Sequence, residues 1–131
     1  MAEDRRGLKI KEDGLGEVQI AEEVITIIAG LAATEVEGVC SMGGNITKEL
    51  VSRLGMKNLS KGVRIEVDEE DKVQVYVTIN IAYGYAIPEV SRNVQEKIKS
   101  AIENMTGLEV QEVNLHITGV RSDKNEDDGA N

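Results

Sequence analysis

Between Val73 and Ala82 the chain alternates strictly, with Val73, Val75, Val77, Ile79 and Ile81 separated by Gln74, Tyr76, Thr78 and Asn80. Side chains of a strand point to opposite faces in turn. Five β-branched residues at a period of two therefore predict a strand with one dry face and one wet face. Sheets covered on one side only carry this signature, so the rest of the chain should supply the cover.

Other stretches repeat the alternation. Val63, Ile65 and Val67 alternate with Arg64, Glu66 and Asp68, and the charged turn Glu69–Lys72 joins this strand to Val73–Ala82 as an antiparallel hairpin. Gly16–Ile20 and Val36–Met42 read as short strands. Leu108–Val120 reads as the last one. Its apolar phase changes between Val110 and Val113, so a bulge is expected near Gln111 and Glu112.

The period changes to the helical one over Pro88–Met105. Val90, Val94, Ile98 and Ile102 are spaced by four, while Glu89, Arg92, Glu96, Lys99 and Glu103 take the opposite face. Pro88 suits the first turn, where its missing N–H does no harm. A second helix is predicted over Ala21–Ala33, with Val24, Ile28, Leu31 and Ala32 on one face and Ile25 and Ile27 flanking it. Glu22 and Glu23 complement the positive end of its dipole. Asn45 is a reasonable N-cap for a short helix with Ile46, Leu50, Val51 and Leu54 on one face, ended by Gly55.

Residues 1–14 are charged and lack a sustained apolar period, so a mobile arm is expected there. Residues 121–131 read as a disordered acidic tail, which leaves 15–120 as the folded domain. The predicted order is β-α-β-(short α)-β-β-α-β. It implies an α+β two-layer sandwich: a mixed sheet, helices on one face, the other face open. Each long helix is expected to bridge two strands of that one sheet.

Composition narrows the function. The 131 residues suffice for one core, and with neither Phe nor Trp that core must be aliphatic. The net charge is −9, and residues 15–118 alone hold 16 acidic and 9 basic groups. Phosphate recognition depends on Lys and Arg, so this balance argues against nucleic acid and against direct docking on anionic lipid. No apolar leader is apparent, and no run approaches the roughly 18 apolar residues a membrane span requires. A soluble cytoplasmic protein without direct membrane insertion is expected.

The residues do not assemble a catalyst. His116 is the only histidine and lies on the polar side of the last strand; Cys40 is the only cysteine and sits in an apolar strand, where a buried, inert thiol is expected. The acidic run Asp68–Asp71 lacks the alternating spacing and closing Glu of a calcium loop. Gly43-Gly44-Asn45 lacks the Lys and the length of a phosphate-binding loop. No catalytic residue, metal or cofactor is predicted. What remains is the wet face, where Arg64, Tyr76, Thr78, Asn80, Asn114, His116 and Thr118 should lie together. Tyr, Arg and His supply contact area and hydrogen bonds, so this face is the candidate protein-interaction surface.

Two stretches carry a family likeness: GEVQIAEEVITIIAGLAATEVEGV (Gly16–Val39) and YGYAIPEVSRNVQEKIKSAIENMTGLEVQEVNLHITGV (Tyr83–Val120). Together they resemble the alkaline shock proteins, the envelope stress response proteins of Gram-positive bacteria. The likeness spans nearly all of Gly16–Val120 and matches residues 43–62 only loosely. It implies a non-enzymatic cytosolic protein of the envelope and alkaline stress response. Some members of that family associate with the membrane through a membrane-anchored partner, and others are tied to control of acetyl-CoA carboxylase. The expectation is thus a self-associating scaffold or adaptor near the inner membrane face, or a regulatory partner of the carboxylase.

Overall fold

The computed structural model of the protein describes residues 7–42 and 61–122. The short helix expected from Asn45 to Gly55 lies outside these residues, as does the acidic tail beyond Ser122. In chain order the elements are β1 (Gly7–Asp13), β2 (Gly16–Ala21), α1 (Glu22–Thr34), β3 (Val39–Met42), β4 (Val63–Val67), β5 (Val73–Ala82), α2 (Ile87–Thr106) and β6 (Val110–Arg121). The class is the α+β two-layer arrangement that the alternation and the helical period predict.

β5 is the centre of the main sheet. β6 runs parallel to it along its whole length, from Val73 paired with Val110 to Ala82 paired with Arg121. A strand has only two edges, so β4 and β3 share the other. β4 pairs antiparallel with Val73–Val77 and β3 with Ile79–Ile81. The predicted bulge is present: Val110 opposes Val73 while Glu112 opposes Gln74, leaving Gln111 as the extra residue. It returns Val113, Leu115 and Ile117 to the dry face. A second irregularity sets Ile117 against Ile79 but Gly119 against Asn80, leaving Thr118 extra.

The five odd-numbered residues of β5 are buried, and Val90, Val94, Ile98 and Ile102 of α2 are buried with them in one cluster. Each such side chain contributes about 1.5–3 kcal/mol through burial. The period-two row of the strand and the period-four row of the helix thus build the centre of the core together.

α1 buries a different face from the predicted one. Ile25, Ala29 and Ala33 are inaccessible, whereas Val24 is 43% exposed. This helix is apolar nearly all round, so its periodicity does not select a side. Its packing does: α1 lies against α2 as well as β3 and β4, and the small residues Ala29, Gly30, Ala32 and Ala33 are all buried.

Two further expectations are corrected at the N-terminus. Residues 7–13 are not a mobile arm but strand β1, paired antiparallel with β2 and anchored by the buried Leu8. β2, in turn, belongs to this two-stranded hairpin and not to the main sheet. α1 therefore does not bridge two strands of one sheet; α2, between the parallel β5 and β6, does.

The junction of α2 and β6 is clasped by side chains. Gly107, in the left-handed region at φ 78°, ends the helix by donating its N–H to Glu103 O at 2.9 Å. The Glu103 carboxylate accepts the Val110 N–H at 2.9 Å and the Lys99 ammonium at 3.0 Å, and Lys99 also donates to Val110 O at 2.8 Å. Both backbone polar groups of the first β6 residue are satisfied by one turn of α2. The Val110 N–H, and after it Lys99, hold the Glu103 carboxyl below its ordinary pKa.

A candidate interaction face on the open side of the sheet

The even-numbered residues of β5 and their neighbours form ordered rows across the open face. Glu66, Gln74 and Glu112 make one row; Arg64, Tyr76 and Asn114 make the next. Thr78 and His116 follow, then Asn80 beside Ser41 of β3. The tertiary structure thus brings together Arg64, Tyr76, Thr78, Asn114 and His116, all expected on this face. They border an open groove of about 390 Å³ whose rim is completed by Lys61.

The middle row has a defined geometry. The Arg64 guanidinium carbon lies 4.2 Å from the centroid of the Tyr76 ring, a cation–π stack, and the same guanidinium is ion-paired with Glu66. Tyr76 donates its hydroxyl to Gln74 Oε1 at 3.4 Å, a long bond. Asn114 Nδ2 donates to Glu112 Oε1 at 3.3 Å. An Arg side chain presents five N–H groups, so the pairing with Glu66 leaves donors for a further acceptor.

Asn80 stands apart from the groove. It is buried, its Nδ2 donates to Ser41 Oγ at 2.9 Å, and its Oδ1 accepts from Thr118 Oγ1 at 3.1 Å. Burial of an amide requires such partners, and here three strands supply them. Asn80 therefore ties β3, β5 and β6 together and offers no free polar atom to a partner, while Thr118 remains exposed at the edge.

Four residues of the face were not among the candidates taken from the sequence. Glu66 and Gln74 share the parity of Arg64 and Tyr76, so alternation could have found them. Glu112 shares the parity of Asn114 and His116, and the bulge at Gln111 is what keeps that parity from running back to the buried Val110. Lys61 precedes its strand and carries no periodic signal.

The groups weighed for chemistry have structural roles or lie apart. Asp68 Oδ1 accepts the N–H groups of Glu70 at 2.8 Å and Lys72 at 3.0 Å, so its carboxylate organises the β4–β5 turn. Cys40, expected buried, is half-buried. Among the described residues no three His, Cys, Asp or Glu side chains gather to hold a metal ion, and no helix is long and apolar enough to cross a membrane.

Comparison with known proteins places this sequence in a family. The family model for ASP23, which carries the description "cell envelope-related function", matches residues 10–122. The chain belongs to the ASP23 family. This is the alkaline shock family that the two sequence stretches resemble. Among its relatives is the uncharacterized protein YqhY of Bacillus subtilis, 43% identical over 109 residues that cover 83% of this chain and 80% of that protein. The uncharacterized protein YloU of the same organism is 35% identical over 108 residues, covering 81% of this chain and 89% of its own. A protein of Streptococcus pyogenes named a stress response regulator gls24 homolog is 27% identical over 110 residues, 82% of this chain and 60% of that protein. No solved structure matches. The ASP23-family match runs through β2 to β6 and includes every row of the open face.

Proposed function

We propose that this member of the envelope-related, stress response family is a non-enzymatic adaptor that associates with itself and with other proteins through the open face of its sheet. One observation carries the reading: a wet sheet face whose centre is an Arg64–Tyr76 stack bordering an open groove, with hydrogen-bonding side chains in register on both sides. Tyr and Arg are among the side chains enriched where protein contacts carry most of their energy, and stacking on Tyr76 already orders the flexible Arg64. The acidic chain directs this surface toward protein and away from nucleic acid or bare anionic lipid. Any residence at the inner membrane face is then conferred by a membrane-anchored protein partner.

Crosslinking in native cells, followed by affinity recovery of the full chain, tests this. Recovery of the chain crosslinked to itself and to a membrane protein through residues of the open face is the expected result. Crosslinks confined to the helical layer would overturn it. Specific recovery of acetyl-CoA carboxylase subunits without self-crosslinks would replace scaffolding by metabolic regulation.

A further inference from the structure

The open face carries its charges in an order that makes it complementary to itself. Along the β4 edge, Glu66 lies one row from Arg64, a separation of about 6.6 Å along the strand. Both side chains are more than half exposed, at 52% and 61%. Along the β6 edge, Glu112 shares a row with Glu66, and Asn114 shares one with Arg64. Acceptors thus occupy one row and donors the next.

We propose that two copies pack these faces together about a two-fold axis that crosses the strands at Val75. The proposal rests on the self-association read above and specifies its geometry. Such an axis reverses strand direction and keeps each edge over its counterpart. It therefore lays the acidic row of each copy over the Arg64 row of the other. Glu66 of each copy then meets Arg64 of the other, and the two intrachain pairs close into a ring of four alternating charges. Glu112 of each copy faces Asn114 of the other, an acceptor against an amide donor, and Gln74 faces Tyr76. Arg64 can serve both carboxylates because its fork has donors to spare.

The alternative axis, along the strands, is excluded by charge. It keeps each row in place and exchanges the edges, so Glu66 of one copy falls on Glu112 of the other, and like charges in contact cost about a hundredfold or more in affinity. Size sets the strength of the pairing. About this axis the two sheets overlap only over Val73–Val77 and the strands beside it, three strands wide and about 16 Å long, which buries on the order of 500 Å² between two copies, below the size of stable interfaces. A weak, reversible dimer with a dissociation constant of about 1 mM follows.

A charge swap tests the axis. Arg64→Glu places four carboxylates in the ring, and Glu66→Arg places four guanidiniums there. Either variant alone should dimerise at least about tenfold more weakly than the unchanged chain in sedimentation equilibrium. An equimolar mixture should regain affinity as a heterodimer visible in native mass spectrometry. Circular dichroism of each variant should match the unchanged chain, because both residues are exposed. Wild-type dimers whose affinity neither substitution changes, or single-variant losses that mixing does not restore, would overturn the proposed axis while leaving self-association standing. An unchanged chain that remains monomeric at millimolar concentration would overturn self-association itself.

Discussion

A Cβ atom on Gly119 would lie 2.8 Å from Oδ1 of Asn80. That distance is shorter than carbon and oxygen tolerate without movement, and Asn80 has little freedom to move. Ser41 and Thr118 hold its amide from two sides. Gly119→Ala is therefore expected to destabilise the fold by about 1–2 kcal/mol, and Asn80→Ala by about 1–3 kcal/mol through its lost hydrogen bonds. The two effects should not add. With Asn80 truncated the added methyl group has space, so the double variant should be more stable than the sum implies. A double-mutant cycle in urea measures this, and strict additivity would count against the close contact.

Gly38 is constrained twice. Its φ of 100° is one that side chains rarely adopt, and a Cβ there would meet Val90 Cγ2 at 2.7 Å and the Tyr85 ring at 3.0 Å. The turn before β3 thus sits directly on the first turns of α2. Backbone strain and overpacking should together make Gly38→Ala cost about 2–4 kcal/mol. A shift in the urea midpoint without a change in slope is the expected signature; a near-neutral substitution would show that the turn can withdraw from α2.

Glu103 supplies a pH dependence with a defined sign. Its carboxyl is held below the ordinary value of 4.5 by the Val110 N–H and Lys99. A depressed native pKa adds stability that is fully present above the ordinary value and is lost as pH falls through the lowered one. With 33% of the side chain exposed, solvent screens part of the effect. Unfolding free energies of the unchanged chain and Glu103→Gln, measured from neutral pH downward, should differ by a constant amount at first and converge in acid. A difference that grows in acid would contradict the assignment.

The open face predicts a separation of folding from association. Tyr76→Ala and His116→Ala should leave the circular dichroism spectrum nearly unchanged while weakening association, Tyr76→Ala with a second copy and His116→Ala with other protein partners. Tyr76→Phe should behave almost as the unchanged chain, because it keeps the ring under Arg64 and loses only the long bond to Gln74. Sedimentation analysis beside the spectra distinguishes the outcomes. A collapse of secondary structure in Tyr76→Ala would show that the ring is part of the core.

Alternation and helical spacing by themselves determined the centre of this protein. The dry row Val73–Ile81, its hairpin with Val63–Val67, and the row Val90–Ile102 were legible because each has one period and one apolar side. The bulge at Gln111 was legible too, since Val110 and Val113 cannot share a face without it. Most of the candidate face followed from the same parity: Arg64, Tyr76, Thr78, Asn114 and His116 are simply the other side of residues that must be buried. Only the tertiary structure decided what depends on neighbours. Leu8 and Ile10 alternate with Lys9 and Lys11 over too few residues to announce β1, whose stability comes from pairing with β2 and from a place for Leu8 in the core. The buried side of α1 was set by α2, because a helix apolar all round has no preferred face of its own. Asn80 reads as a wet-face residue until Ser41 and Thr118 close over it. The opposition of Glu66 and Arg64 across a two-fold axis depends on which rows three separate strands bring into line, a matter of pairing register that alternation within one strand does not specify.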